Sequence, residues 1–308
     1  MQNQGKEYEV IIIGGGPAGL AAAIYTSRAR LSSLLLERGV IGGQILNAGQ
    51  VDNYPGFPQG ISGAELTQLM HQQATKYGLE TINAEATSIE LYGQYKIVTT
   101  TDGIFTAKAV IIANGVERQK LGIPGEKEFT GRGVSYCATC DAAFFRDMTV
   151  AVVGGGNAAL TEALHLSRLA AKVFVIHRRD QLRATRIVQE KAFAEPNIEF
   201  LWNTVVEQIE GNDFVQRLQL RRVNTGERST LDVSGIFIAI GSRPNTDYLK
   251  GFLPLDDTGA VITNDQMETG IPGIFAAGDI RHNSVRQVIA AAGDGAIAAI
   301  SAEKYLTG

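Results

Sequence analysis

The feature that most restricts how this chain can fold is an internal repeat. Near the start runs Tyr8-Glu9-Val10-Ile11-Ile12-Ile13-Gly14-Gly15-Gly16-Pro17-Ala18-Gly19, followed by small and apolar residues at helical spacing through Ala29. A second copy begins at Thr149-Val150-Ala151-Val152-Val153-Gly154-Gly155-Gly156-Asn157-Ala158-Ala159 and continues through residues 160–169. Each copy reads as a buried strand, a glycine turn and a helix. Each helix then leads into another apolar strand, residues 33–36 ending at Glu37 and residues 172–176 ending at His177. Gly14 to Glu37 spans 23 positions and so does Gly154 to His177, so the two copies are in register.

A strand, glycine turn and helix of this form bind a dinucleotide for physical reasons. The first glycine makes the turn, the second lets the backbone approach a pyrophosphate, and the third (or an alanine) permits close helix-to-strand packing. The pyrophosphate then rests on the helix N-terminus, where unpaired N–H groups and the positive dipole end face it. One such match is a weak signal; two in register exclude coincidence as the simpler reading. The expected contacts are Gly14, Gly16, Pro17, Ala18 and Gly19 in the first copy, and Gly154, Gly156, Asn157, Ala158 and Ala159 in the second. Glu37 stands where a carboxylate accepts hydrogen bonds from a ribose 2′-OH, which suits FAD or NAD and opposes a 2′-phosphate. The second copy has His177 there, followed by Arg178 and Arg179, with Arg183 placed one helical turn beyond. Guanidinium groups match phosphate bidentately, so the second unit is expected to take NADPH.

A chain of 308 residues has material for two cores. After each repeat come short alternating stretches, residues 81–101 and 204–223, with turn signals between them, and then a strand that returns to the sheet, residues 109–113 and 235–240. Beyond Ser242-Arg243-Pro244-Asn245 the chain has one more apolar strand, residues 273–277, then Gly278-Asp279 and a small-residue helix from about Val285. That tail lacks a glycine turn of its own and is assigned to the first domain. The expected fold is α/β: two Rossmann-like dinucleotide-binding domains of three-layer ββα type, the second inserted in the first. The boundaries are 1–117 and 245–308 for the FAD-binding domain and 118–244 for the NADPH-binding domain.

The net charge of −4 supplies no field that would attract nucleic acid. No run reaches the roughly 18 apolar residues of a membrane helix, and the polar start lacks the pattern of a secretory signal. No membrane association and a cytoplasmic location are expected. The chain has two cysteines, Cys137 and Cys140. A lone pair at this spacing cannot complete a four-thiolate zinc site, so no metal is expected, and redox exchange is the economical reading. An inert structural disulfide or two reduced core thiols are the alternatives.

Together these motifs closely resemble the low-molecular-weight thioredoxin reductases along almost the full length. The resemblance is carried by the turn at Gly14 to Gly19, Gly42-Gly43-Gln44, Asn53-Tyr54-Pro55-Gly56, Cys137-Ala138-Thr139-Cys140-Asp141, Gly154-Gly155-Gly156-Asn157, His177-Arg178-Arg179 with Arg183, Ala239 to Asn245, and Gly278-Asp279 with Arg286-Gln287. It implies an FAD domain built from both ends of the chain, an inserted NADPH domain carrying the dithiol, a homodimer, and a rotation of one domain against the other. It places Gly43, Gln44, Asn53, Gly115, Gly278, Asp279, Arg286 and Gln287 around FAD and makes Asp141 the acid that protonates a departing thiolate. Three positions depart from the family pattern: Ala158 where serine or threonine is common, Thr161 where glutamate is frequent although Glu162 remains, and Asn114 where threonine is usual.

The implied cycle passes a hydride from NADPH to FAD and then electrons to the Cys137–Cys140 disulfide, entering at Cys140. The freed Cys137 thiolate attacks oxidised thioredoxin, and the second cysteine resolves the mixed disulfide. Thiols at a helix start have depressed pKa values, which favours the nucleophile. Competing readings keep the reaction class but change the donor or acceptor (NADH, ferredoxin, a peroxiredoxin system, or oxygen in a dithiol oxidase), or make the chain a non-catalytic redox sensor. A plain helix-start residue is the alternative for Asp141, His71 and His165 are expected as packing or surface residues, spacing does not decide whether His282 approaches flavin, and Tyr136, Phe144 and Phe145 are expected as core aromatics, with packing on flavin or contact with a protein partner as the alternatives.

Overall fold

The computed structural model describes residues 6–48 and 50–308. The first residues of the polar start, 1–5, lie outside them. The chain divides into two compact units, Met1–Glu117 with Arg243–Gly308, and Arg118–Ser242. The second crossing therefore falls two residues before the expected 244/245.

In chain order the first unit opens with β1 (Glu7–Ile13), α1 (Pro17–Arg28), β2 (Ser33–Glu37), α2 (Gly63–Thr75) and β3 (Glu80–Asn83). A meander follows: β4 (Ala86–Tyr92), β5 (Tyr95–Thr100) and the long β6 (Gly103–Ile112). The strand β7 (Val116–Arg118) leaves it. The second unit contains β8 (Val134–Ser135), α3 (Ala138–Asp141), β9 (Thr149–Val153), α4 (Asn157–Leu166), β10 (Lys172–Ile176), α5 (Arg186–Ala194), β11 (Ile198–Leu201), the meander β12 (Thr204–Gly211), β13 (Val215–Arg222) and β14 (Arg228–Asp232), and β15 (Gly235–Ile238). The chain returns on β16 (Ser242–Pro244), which pairs with β7, and ends with β17 (Ile274–Ala276) and α6 (Val288–Thr307). That last helix starts three residues later than the sequence pattern suggests.

The two units share one plan. In the first, the parallel strands run β3-β2-β1-β6, with β17 parallel to the far edge of β6. In the second they run β11-β10-β9-β15-β8, all parallel. The fifth position is filled by a strand from the end of the chain in one case and by a strand preceding the repeat in the other.

Residue alternation along these strands explains the layering. In β1, Val10 and Ile12 enter a core with the small residues of α1 and α6, while Ile11 and Ile13 enter a second core with Ile89, Val98 and Phe105 of the meander. In β9, Val150 and Val152 pack with Leu160 and Leu166 of α4, while Ala151 and Val153 pack with Val206, Leu218 and Leu220 of β12 and β13. Strands buried on both faces are apolar throughout, as parallel sheets require. Each unit is thus helix, sheet and meander, the three-layer α/β arrangement expected.

Small residues set how closely α1 and α6 approach. A Cβ on Gly295 of α6 would lie 2.0 Å from the Ala18 carbonyl oxygen of α1. This explains why both helices are rich in alanine and glycine rather than in larger apolar residues.

Candidate functional site

The two glycine turns are built by matching hydrogen bonds. Gly14 N–H donates to the Leu36 carbonyl at 2.8 Å, and Gly154 N–H to that of Ile176 at 3.1 Å. Gly15 and Gly155 each accept at the carbonyl from a later loop: Gly42 N–H donates to Gly15 at 2.8 Å, and Arg183 N–H donates to Gly155 at 2.7 Å. Gly14 has φ of 110°, and a Cβ there would meet the Ala113 carbonyl at 2.5 Å, so only glycine fits. Gly16 and Gly156 occupy the N-cap positions of α1 and α4, and neither helix start has a capping side chain. In α2, by contrast, the Ser62 hydroxyl accepts from Glu65 N–H at 3.1 Å. The donors opening α1 and α4 are therefore free of side-chain caps, as are those of α3, α5 and α6. Pro17 removes one orphan donor at the start of α1. No heavy atom lies within 4 Å of a Cβ built on Gly156, so the second turn is open outward. These cradles fit the pyrophosphate of a dinucleotide. Ala18 and Ala159 are buried, while Ala158 faces outward with no partner to lose.

Around the first turn, Glu37 is anchored at both oxygens: Gly15 N–H donates to Oε2 at 2.7 Å and Gly39 N–H to Oε1 at 2.9 Å. Gly43, with φ of 64°, brings its backbone against Gly16; a Cβ there would stand 3.0 Å from the Gly16 Cα. Gln44 donates through Nε2 to the Val116 carbonyl. Asn53 Nδ2 donates to Gln287 Oε1 at 3.1 Å, so two expected site residues 234 positions apart meet. Gly115 has φ of 59°, Gly278 has φ of 77°, and Arg286 adopts φ of 55° just before α6. The Ser284 hydroxyl links this last loop, donating to Asp279 Oδ1 at 2.9 Å and accepting from Arg286 N–H at 3.2 Å.

Two supports escaped the sequence reading because their partners are remote. Asp294, buried on α6, accepts from Gly278 N–H at 3.2 Å and forms a two-point ion pair with Arg281, at 2.5 Å from Nε and 3.0 Å from Nη2. Asn114 and Asn245 each donate through Nδ2 to the other's carbonyl, at 2.9 and 2.7 Å. The asparagine that departs from the family pattern thus has a partner of its own in the Asn245 carbonyl. His282 accepts at Nδ1 from Thr263 N–H at 3.2 Å. The spacing of Asp294 from Gly278, one helix entry later, offered a faint signal; the asparagine pair offered none.

In the second unit the basic cluster divides. Arg178, Arg179 and Arg183 are exposed, and none forms an ion pair among the described residues. Arg183 lies on the loop before α5 rather than a helical turn from Arg179, held there by its N–H bond to Gly155. His177 does not join them. It is 5% exposed, packed beneath Gly155, where a Cβ would collide with its ring at 2.2 Å. Its Nε2 pairs with the Gln181 carbonyl at 3.0 Å, and its ring stands edge-on to Trp202. Burial lowers its pKa from the ordinary value, against the Gln181 bond and together with the three nearby arginines. A neutral ring wedged under the turn shapes it; the charges that face outward are the arginines. Asn157 Oδ1 accepts from Thr185 N–H at 2.7 Å and steadies the same loop.

Cys137 and Cys140 form a disulfide, their Cα atoms 5.3 Å apart, both half-buried. Cys137 caps α3, and the N–H groups of Cys140 and Asp141 donate to its carbonyl at 3.2 and 3.1 Å. The helix is a single turn of four residues, so its dipole does little for a thiolate, contrary to the sequence expectation. What stands beside the pair is Asp141. Its Oδ2 accepts from the Ser135 hydroxyl at 2.6 Å, and the Ser135 oxygen accepts from Cys137 N–H at 3.1 Å. Burial raises the Asp141 pKa, opposed by the Ser135 bond and the Arg118 charge. Phe145 is buried edge-on to Phe237, Tyr136 donates to Glu126 at 2.8 Å, and Phe144 is 48% exposed. The arrangement offers a reducible S–S bond with a carboxyl of raised proton affinity next to it.

The sequence profile of the pyridine nucleotide-disulphide oxidoreductases matches residues 8–295. A thioredoxin reductase of Bacillus subtilis is 48% identical over 302 residues, covering 98% of this chain and 95% of that protein. One from Peptoclostridium acidaminophilum is 46% identical over 305 residues, with 97% of each chain covered. The crystal structure of thioredoxin reductase from Streptococcus pyogenes superposes with a TM-score of 0.94 at 46% identity, covering 98% of both chains.

Proposed function

The chain belongs to the pyridine nucleotide-disulphide oxidoreductase family, and from that premise we propose that it reduces the disulfide of thioredoxin with electrons from NADPH. FAD, when bound, accepts a hydride from the nicotinamide and supplies two electrons to the Cys137–Cys140 disulfide. The observation that carries this reading is the disulfide itself, set beside a carboxyl whose pKa burial raises, in the same unit as the second glycine turn and the three exposed arginines.

The residues divide the work as follows. The uncapped N–H groups at the starts of α1 and α4 hold the pyrophosphates of FAD and NADPH. Glu37, fixed by Gly15 and Gly39, accepts from the adenosine ribose of FAD. Gly43, Gln44, Asn53, Gly115, Gly278, Asp279, Arg286 and Gln287 line the rest of that site. Arg178, Arg179 and Arg183 hold the 2′-phosphate of NADPH, and Asn157 keeps their loop against the turn. Once reduced, Cys137 attacks the thioredoxin disulfide; its S–S bond breaks, and Cys140 then displaces the second thioredoxin sulfur, re-forming Cys137–Cys140. Asp141 gives the proton that the departing thiolate needs.

The family reading also brings a homodimer and a cytoplasmic location. Tyr25 on α1 and Ile297 and Ile300 on α6 are exposed apolar residues, which supports an interface there. No helix among the described residues is long and apolar enough to cross a membrane.

The test is anaerobic NADPH and NADH oxidation by the FAD-loaded protein, with and without thioredoxin. Thioredoxin-dependent consumption that prefers NADPH is expected. Inactivity with both nucleotides, despite bound FAD, would redirect the assignment to another electron donor or to a sensor.

A further inference from the structure

One half-buried ionisable group is left without a task by the chemistry above. Glu162 lies on α4, and α3, the turn that carries the dithiol, packs against α4. Its Oε2 is enclosed without a hydrogen-bond partner. The backbone N–H of Ala138, the residue that follows Cys137, points at the same carboxyl. Asp141 from α3 repels its charge and Arg118 attracts it. The other ionisable residues on elements packed against α4, Arg186, Glu190 and Lys191 on α5 and Lys172 on β10, are not among the charges that act on it most.

An unpartnered carboxyl oxygen in such a place is costly when ionised and tolerable when protonated. Two carboxyls that repel each other, with one cation acting on both, also cannot both shed protons freely when a further negative charge arrives.

We propose that Glu162 is the proton store of the dithiol, taking up a proton when the Cys137–Cys140 disulfide is reduced and releasing it when the disulfide re-forms. The inference rests on the redox role of the pair given above. Two electrons and one proton convert the disulfide to one thiol and one thiolate. The new negative charge lies beside the Ala138 turn, so an ionised Glu162 takes one proton from solvent and becomes the neutral acid. On re-oxidation the thiolate electron pair enters the new S–S bond, the charge disappears, and the Glu162 proton returns to solvent. Over the pH range in which Glu162 is ionised in the oxidised protein, reduction therefore carries one proton more than the sulfurs alone require. Burial raises the Glu162 pKa to about 7 in the disulfide form, above the opposing effects of Arg118 and Ala138, which puts this range at pH 7 and above. Glu162 touches neither sulfur in this account; it acts through the charge and the Ala138 turn, as a positioning residue.

The experiment is a reduced-minus-oxidised infrared difference spectrum of the FAD-loaded protein at pH 8, with a phosphine as the reductant and thiols counted in the same sample. A carboxylic-acid C=O band should appear on reduction, shift in D2O, persist in Asp141→Asn and vanish in Glu162→Gln. Glu162→Asp should restore a band. The rate of alkylation of the reduced protein should show two inflections with pH in the wild type and one fewer in Glu162→Gln. If two thiols are released and no acid band appears, or if the band is lost in Asp141→Asn alone, the proposal is overturned; should Glu162→Gln not fold, the wild type and Asp141→Asn decide. Thioredoxin turnover surviving in Cys137→Ser would instead strike the dithiol reading, a result the infrared band does not report.

Discussion

Replacing Arg178 and Arg179 together by alanine tests the phosphate site with little cost to the fold. Both side chains are exposed and form no ion pair among the described residues, so their loss should change stability by no more than about 0.5 kcal/mol each. Hydrogen bonds to a charged group contribute about 1.5–3 kcal/mol, and exposure to solvent puts these at the lower end. Two such contacts amount to about 3 kcal/mol, which is roughly a hundredfold in kcat/KM for NADPH at about 1.4 kcal/mol per factor of ten. NADH has no 2′-phosphate, so its kcat/KM should change by less than about threefold. Initial rates with each nucleotide, at saturating thioredoxin, read both numbers. His177→Ala is the control: its ring fills the space under Gly155, so this variant should lower the melting temperature and impair NADPH and NADH alike. Equal losses with both nucleotides in the double arginine variant would refute the phosphate assignment, as would a loss confined to NADPH in His177→Ala.

Cys137→Ser should leave reduction of bound FAD by NADPH intact while abolishing thioredoxin turnover, followed by flavin absorbance and by NADPH consumption. Asp294→Ala breaks the half-buried pair with Arg281 and frees Gly278 N–H, so stability should fall by about 3–5 kcal/mol and FAD should dissociate faster, measured by thermal unfolding and by flavin fluorescence; an unchanged melting temperature would remove the support assigned to that pair. Glu162 has a folded pKa of about 7 against an ordinary 4.5, so the folded state binds its proton more tightly. Its contribution is most favourable below about pH 4.5 and is lost as pH rises towards 7, by about 3 kcal/mol at most, from roughly 1.4 kcal/mol per unit. Glu162→Gln should therefore gain melting temperature over the wild type at pH 8 but not at pH 4.5, and a constant difference across that range would contradict the raised pKa.

Local chemistry is what the sequence displays directly. The turns at Gly14 and Gly154 were readable because a strand, a tight turn and a helix are specified by neighbouring residues, and the limits of β10 coincide with the apolar run 172–176. Helix ends were less legible: α6 begins at Val288 because the loop through Asn283 and Arg286 takes positive φ before it, which the pattern of small residues does not reveal. Arg183 was placed a helical turn from Arg179, but a backbone bond to Gly155 holds that stretch as loop.

By itself, the sequence determined that two like units exist and where their glycine turns lie. These follow from spacing and residue type, which local sterics and burial convert into structure without reference to distant parts of the chain. Only the tertiary structure decided that His177 is a buried wedge while Arg178 and Arg179 face outward, that Asp294 holds Gly278, that Asn114 meets Asn245, and that Glu162 meets the backbone at Ala138. Each of those depends on which side of an element faces the core and on a partner remote in sequence. Desolvation and hydrogen bonding across such distances arise only when the elements pack.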